Sequence, residues 1–191
     1  MKHLVGPLEV IPPEAAFRAV LGPHLVTLPR LAPLADPGIY VVALAPGADI
    51  PGLCARPGEI LYVGMSRKSL AARHHLRYRH SGGSTLRRSL GALLVDALAL
   101  APVPRDSAGD TPAQYRFRDD GERRLSGWMQ DHLLGAQFPC DGNLPEIEAA
   151  LIRLIRPPLN LTGWRNPQRG HVMAMRRRCA QAAQEARGRL A

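Results

Sequence analysis

Lysine is nearly absent from this chain of 191 residues: Lys2 and Lys68 are the only two. Aromatic residues are scarce at 5%. The three cysteines, Cys54, Cys140 and Cys179, are scattered and never form a CxxC pair, so they define neither a disulfide framework nor a structural zinc site. No uninterrupted apolar stretch reaches the roughly 20 residues that a membrane-crossing helix needs, and no span is expected. Lys2 and His3 are not followed by an adequate apolar h-region, so no signal peptide is expected and cytoplasmic residence is the default. No internal repeat is present.

What the chain has instead is arginine. The formal charge of +9 is carried almost entirely by that residue. Guanidinium groups grip phosphate oxygens bidentately, so the excess favours a polyanionic partner. A genome composition that enriches Arg, Ala, Pro and Gly together would produce the same excess, and charge alone assigns nothing. The length and a hydrophobic content of 46% suit one domain with extensions and a real core.

Three parts follow from the punctuation. Residues 1–35 are proline-rich and read as an accessory segment, with a short helix over Glu14–Leu21 after Pro12-Pro13. Residues 36–165 carry the domain. Ile39–Leu44 and Glu59–Val63 are strand-like runs joined by a long connection with Pro46, Gly47, Pro51, Gly52, Pro57 and Gly58, and together they predict an irregular hairpin. Ser69 caps a predicted helix to about His80, ended by Ser81-Gly82-Gly83, and Thr85–Leu98 predicts another. After a loop over Pro102–Pro112, Ala113–Arg118 alternates like a third strand, Glu122–Leu133 like an amphipathic helix, and Gly135–Pro139 reads as a short strand or extended segment. A helix over Pro145–Ile155 follows. Residues 166–191 form a C-terminal basic amphipathic helix, beginning near His171.

Two strings place a tyrosine where a strand meets a turn, Gly38-Ile39-Tyr40 and Tyr62-Val63-Gly64. Hydrolysing a phosphodiester needs an activated water, charge stabilisation on the phosphorane and help for the leaving oxygen. Two phenols on one hairpin suit the first tasks, one orienting or deprotonating water and the other donating to a non-bridging oxygen. Glu148 suits a single divalent cation, Mg²⁺ or Mn²⁺, which keeps several waters and needs few carboxylates. Arg73 is the candidate phosphate clamp, with Arg77 one turn further on. Glu146, two residues before Glu148, points to the other side of its helix and reads as a first-turn surface glutamate.

The ordered set resembles the GIY-YIG nuclease superfamily: the two triplets, an arginine on the next helix, Glu148 in an E-x-x-L-I pattern, and Pro157-Pro158-Leu159-Asn160 closing it. The resemblance covers about residues 36–165. It implies that Tyr40, Tyr62, Arg73 and Glu148 carry the chemistry, with Glu148 on the metal. Some members use a histidine or lysine to take a proton from the first tyrosine. Here Met65 stands where many carry lysine, so Arg67, Lys68 and the histidines are candidates, and helical spacing favours His80 over His75 as a companion of Arg73. Ser84-Thr85-Leu86-Arg87-Arg88-Ser89-Leu90-Gly91 resembles a segment of a bacterial branch of the family. Ser84, Thr85, Arg87 and Arg88 at a helix start, together with Arg67, Lys68 and Arg77, are candidate nucleic-acid contacts; an ordinary capped helix with a basic face is the competing reading. Asn160 is expected to fix the chain rather than touch substrate.

The expected fold is therefore α/β (α+β): a small, mainly antiparallel sheet of three to four strands packed by helices. The expected function is a metal-dependent endonuclease acting on nucleic acid, DNA more than RNA. The alternatives are a catalytically weak or inactive nucleic-acid-binding module of the same fold, and a basic ribonucleoprotein component supported by charge alone.

Overall fold

Gly38–Leu44 forms the central strand, β2, and all seven of its residues are buried. Such a strand needs partners on both edges and cover on both faces, which is why it reads as a continuous apolar run. In a computed structural model that describes residues 21–73, 75, 80–105 and 114–188, β2 pairs antiparallel with β3 (Ile60–Ser66) on one side. On the other side it pairs antiparallel with β6 (Leu133–Pro139). A two-residue strand, β1 (Val26–Thr27), extends β6, so the sheet order is β1-β6-β2-β3. The expected small antiparallel sheet packed by helices is the observed one.

The helices are α1 (Thr85–Leu93), α2 (Asp119–His132), α3 (Leu144–Ile155) and α4 (Arg169–Gly188). Alternation along the strands divides the core in two. Tyr40, Val42 and Leu44 point into a large cluster with Leu86, Leu90, Phe117, Leu125 and Met129. Ile39, Val41, Val63 and Ala136 point the other way, under Leu144, Ile152 and Ile155 of α3. Helix α4 buries Val172, Cys179, Ala180 and Ala183 in the larger cluster, continuous with α1.

Several elements differ from expectation. The third strand is shorter, β5 (Tyr115–Phe117), and pairs with β4 (Pro102–Pro104) in a separate two-stranded sheet; the start of the expected loop is thus a strand. The strand that completes the main sheet is β6, which follows α2 without a connecting loop. Leu70–Arg73 is a 3-10 turn. Helix α1 ends at Leu93, five residues earlier than predicted, and turns carry the chain on to Leu100. The predicted helix over residues 14–21 lies almost entirely outside the described residues, as do His74 and Arg77.

The exposed edge of β3 is closed by the segment after α3. Helix α3 is capped by Arg156 in the left-handed region, φ 55°, and Pro157 follows. Leu159 N–H then donates to Leu61 C=O at 2.9 Å. The Asn160 amide accepts from Val63 N–H at 2.8 Å and donates to Val63 C=O at 2.9 Å. One side chain does the work of a strand neighbour, the anchoring role expected of Asn160. An unpaired strand edge invites other chains to add to it.

Candidate active site

Tyr40 sits in mid-sheet, directly between Gly64 of β3 and Gln137 of β6 in the strand registers. A Cβ at Gly64 would run into the hydroxyl and ring of Tyr40. Glycine is needed there because the phenol lies across the neighbouring backbone, and the second triplet makes room for the tyrosine of the first. The Tyr62 ring stacks beside Tyr40, with centroids 6.1 Å apart and 29° between planes. The two expected tyrosines are therefore together on one face, Tyr40 buried and Tyr62 half-buried.

The histidine at this pair is His75. Its Nε2 is 3.2 Å from the Tyr40 hydroxyl, and its Nδ1 is 2.9 Å from Ser84 Oγ. Its ring also meets the Tyr62 ring edge-on, with centroids 6.1 Å apart. His80 is exposed, with its ring over Gly82. The preference for His80 is thus corrected. It rested on a regular helix from Ser69, and a 3-10 turn at Leu70–Arg73 breaks the spacing argument. Either neutral tautomer of His75 satisfies one acceptor. Once protonated, it donates from both nitrogens, and the two oxygens are placed to receive both hydrogens.

Ser84 and Arg87 serve the inside of the protein, which corrects their expected role as nucleic-acid contacts. Ser84 is buried and caps α1, accepting from Arg87 N–H at 3.2 Å. The Arg87 side chain is 0% exposed and pairs with Glu122 at 2.9 Å. It also donates to Ser126 Oγ at 3.0 Å and to the backbone carbonyl of His75 at 3.3 Å. Glu122 in turn accepts from Ser81 N–H, Ser81 Oγ–H and Phe117 N–H at 2.6–3.0 Å. A buried ion pair with this many hydrogen bonds fixes the turn that carries Ser84 and the backbone that carries His75. Sequence reasoning missed Glu122. The signal was there in Arg87, three residues before the buried Leu90 on the same side of its helix and therefore in need of a carboxylate.

Helix α3 lies on the opposite face, yet Glu148 reaches the same end of β3. Its carboxylate accepts a hydrogen bond from Met65 N–H. Burial pushes the Glu148 carboxyl above the ordinary carboxylate range, while that bond and the nearby Arg73 guanidinium pull it partly back. Arg73 itself is exposed, at the end of the 3-10 turn, and lines a small cleft with Tyr40, Val42, His75 and Gln137. Glu148, Arg73 and Tyr40 therefore follow one another around the end of β3. No cluster of three or more His, Cys, Asp or Glu side chains fit for a metal occurs among the described residues. Glu148 is half-buried, and its bond from Met65 N–H occupies one of the roughly four lone-pair sites of a carboxylate. Such a donor fits a cation that keeps most of its waters.

The remaining candidates lie at the rim. Arg67, Lys68 and Thr85 are exposed, and Arg67 lines a recess with Asn143 and Leu144 at the start of α3. Arg88 is half-buried; burial first, then the Arg176 charge, hold its guanidinium below the ordinary arginine range. No helix among the described residues is long and apolar enough to cross a membrane.

Compared with known proteins, the chain matches the GIY-YIG catalytic domain over residues 54–179, well over half its length. It belongs to that family, and its function is of the nuclease type. The matched span contains Tyr62, Arg73, His75 and Glu148 and begins after Tyr40, which joins them through the β2–β3 pairing. No curated protein and no solved structure matches the chain.

Proposed function

We propose that this member of the GIY-YIG family is a divalent-metal-dependent endonuclease that hydrolyses phosphodiester bonds in nucleic acid, DNA in preference to RNA. The observation that carries the reading is the Ser84–His75–Tyr40 hydrogen-bonded chain, which opens beside Arg73 and around the β3 end from Glu148. A buried phenol wired to an imidazole has a route for its proton, a feature that a plain binding surface has no need of.

In this reading water attacks phosphorus, its proton passes to the Tyr40 oxygen, and the Tyr40 proton passes to His75 Nε2. The imidazolium so formed is held by Ser84 Oγ on its far nitrogen. Arg73 binds non-bridging oxygens as charge grows on the phosphorane, and the Tyr62 hydroxyl donates to another of them. The phosphorus–oxygen bond to the leaving group then breaks, and that oxygen takes a proton from solvent. Glu148 would hold the cation, Mg²⁺ or Mn²⁺, which when bound supplies Lewis-acid stabilisation of the phosphorane and the leaving oxygen. The exposed Arg67, Lys68 and Thr85, with Arg88 and Arg77, would bind flanking phosphates.

The test is incubation of the pure protein with single- and double-stranded DNA and RNA in Mg²⁺, Mn²⁺ or EDTA, beside Glu148→Ala. Internal cleavage that needs metal and disappears in the variant is expected, faster on DNA. Tight binding with no cleavage of any substrate would overturn the enzymatic reading in favour of a binding module.

A further inference from the structure

Gln137 is a polar residue in the middle of an otherwise apolar strand, Leu133–Pro139. It faces Tyr40 directly across the β6–β2 register and shares the cleft with Tyr40, Arg73 and His75. Its side-chain oxygen is buried and has no hydrogen-bond partner among the described residues. A buried carbonyl left unmatched destabilises a fold, and such groups in native proteins call for a specific reason. Strand β1 pairs with β6 only at Leu134 and Gly135, so among the described residues no strand covers Gln137 on its outer side.

The partner that this oxygen lacks has to bring a hydrogen. Phosphate oxygens carry none, and Arg73, the cleft's guanidinium, has phosphate to hold. Phosphodiester hydrolysis always brings one more donor into such a cleft, the attacking water. One hydrogen of that water goes to the base, and the other needs an acceptor that fixes the direction of the lone pair.

We propose that Gln137 is a further catalytic residue, its amide oxygen accepting a hydrogen bond from the nucleophilic water beside Tyr40. The assignment rests on the nuclease reading above. It makes the strand register functional: β2 carries the base, β3 the glycine that admits it, and β6 the group that aims its water. It also explains why the fold keeps a polar side chain at a position where an apolar one would pack without cost.

The test is Gln137→Met, which keeps volume and chain length but loses the acceptor. Single-turnover cleavage should fall about 10–100-fold with nucleic-acid affinity unchanged, and the apparent pKa values of the pH–rate profile should stay where they are in the wild type. The variant should melt at or above the wild-type temperature, because an unmatched carbonyl has gone. Gln137→Asn, which keeps an amide one methylene shorter, should fall between the two in rate and serves if the thioether disturbs the strand. Wild-type cleavage by Gln137→Met overturns the proposal. So does a drop in affinity with an intact saturated rate, a moved pH profile, which would mean an action on Tyr40 or His75, or a loss of stabilisation by Mn²⁺, which would make Gln137 a metal ligand. Absence of cleavage by the wild type would instead sink the nuclease reading itself, and the two failures are separable.

Discussion

Both faces of the sheet bury apolar side chains, but only one of them adds a wired polar chain to that packing. Under α3, the strands present Ile39, Val41, Val63 and Ala136 to Leu144, Ile152 and Ile155, and the packing there is apolar. On the other face, Val42 and Leu44 enter the larger apolar cluster, and beside them the strands present Tyr40, Tyr62 and Gln137, where a hydrogen-bonded chain runs from Glu122 through Arg87 to His75 and Ser84. Apolar burial is non-directional and tolerates small shifts. A chain of hydrogen bonds sets an orientation, and fails as a unit if one link is removed. The difference teaches where the precision of this molecule is stored. The plain face supplies the site with a single group, Glu148, carried over the end of β3.

The sharpest way to separate the faces is Glu148→Gln. Cleavage should disappear, and so should any rise in melting temperature caused by Mn²⁺. Folding should not suffer. Burial raises the Glu148 carboxyl above its ordinary 4.5, so between that value and the raised one the native state binds more protons than the unfolded chain. Stability contributed by this group is therefore present at low pH and lost as pH rises through the window. The glutamine variant escapes that loss and should be at least as stable as the wild type at neutral pH. Metal-dependent turnover by a folded Glu148→Gln protein would break the assignment.

Next in size is Tyr40→Phe, with an expected loss of about 10²–10⁴ in single-turnover rate, the range of a general base. Tyr62→Phe should lose less, since Tyr40 is the tyrosine bonded to His75 Nε2 among the described residues. Gly64→Ala should imitate Tyr40→Phe although it deletes no hydroxyl, because the added methyl displaces that ring. Equal losses at the two tyrosines, or a harmless Gly64→Ala, would show that the orientation of the phenol does not matter.

The apolar face was the legible one. Ile39–Leu44 announces a buried strand by its unbroken apolar run, and the helix over Pro145–Ile155 is present, but its buried face is Leu144, Ile152 and Ile155, while the equally apolar Ile147 is exposed. The order of the two triplets and the arginine drew attention to Tyr40, Tyr62 and Arg73, and the fold sets the two tyrosine rings side by side with Arg73 in the cleft at Tyr40. His75, Ser84, Arg87 and Gln137 were not, and for one reason: their roles come from partners distant in sequence. Arg87 looks like a surface arginine until Glu122, 35 residues on, is brought to it. His75 and His80 are told apart only by whether the chain after Leu70 is a helix. Gln137 is visible as an anomaly only once its neighbours are known to leave its oxygen unmatched. Alternation marked the strand within Ala113–Arg118 without saying which sheet it joins, and it pairs with β4 outside the main sheet.

Arg87→Met tests whether the wired face depends on its ion pair. Removing one partner leaves Glu122 charged, 3% exposed and short of a donor, and breaking a buried pair typically costs about 3–5 kcal/mol. Denaturant unfolding should register that loss. The salt dependence of nucleic-acid binding by the remaining folded protein should be unchanged, since Arg87 reaches no phosphate. Arg67→Ala and Lys68→Ala should do the reverse, leaving stability intact and reducing the salt slope by roughly one unit for each phosphate no longer neutralised. A reduced salt slope in Arg87→Met would return that arginine to the nucleic-acid interface.

The smallest effect belongs to Ser84, where the scaffold and the chemistry share one oxygen. As the cap of α1 it accepts from Arg87 N–H, and as the neighbour of His75 it meets Nδ1. Loss of the cap in Ser84→Ala should cost about 1 kcal/mol, within the range of such substitutions. Loss of the second bond removes an acceptor from the His75 imidazolium, so the plateau rate should fall and the acid limb of the pH–rate profile should move to lower pH. Ser84→Gly separates the two. Glycine costs a helix start only a few tenths of a kcal/mol relative to serine, yet it leaves Nδ1 as bare as alanine does. The two variants should therefore differ in stability and coincide in pH profile. If the profile instead follows stability, recovering in Ser84→Gly, then Ser84 acts by holding the helix alone, and the hydrogen-bonded chain ends at His75.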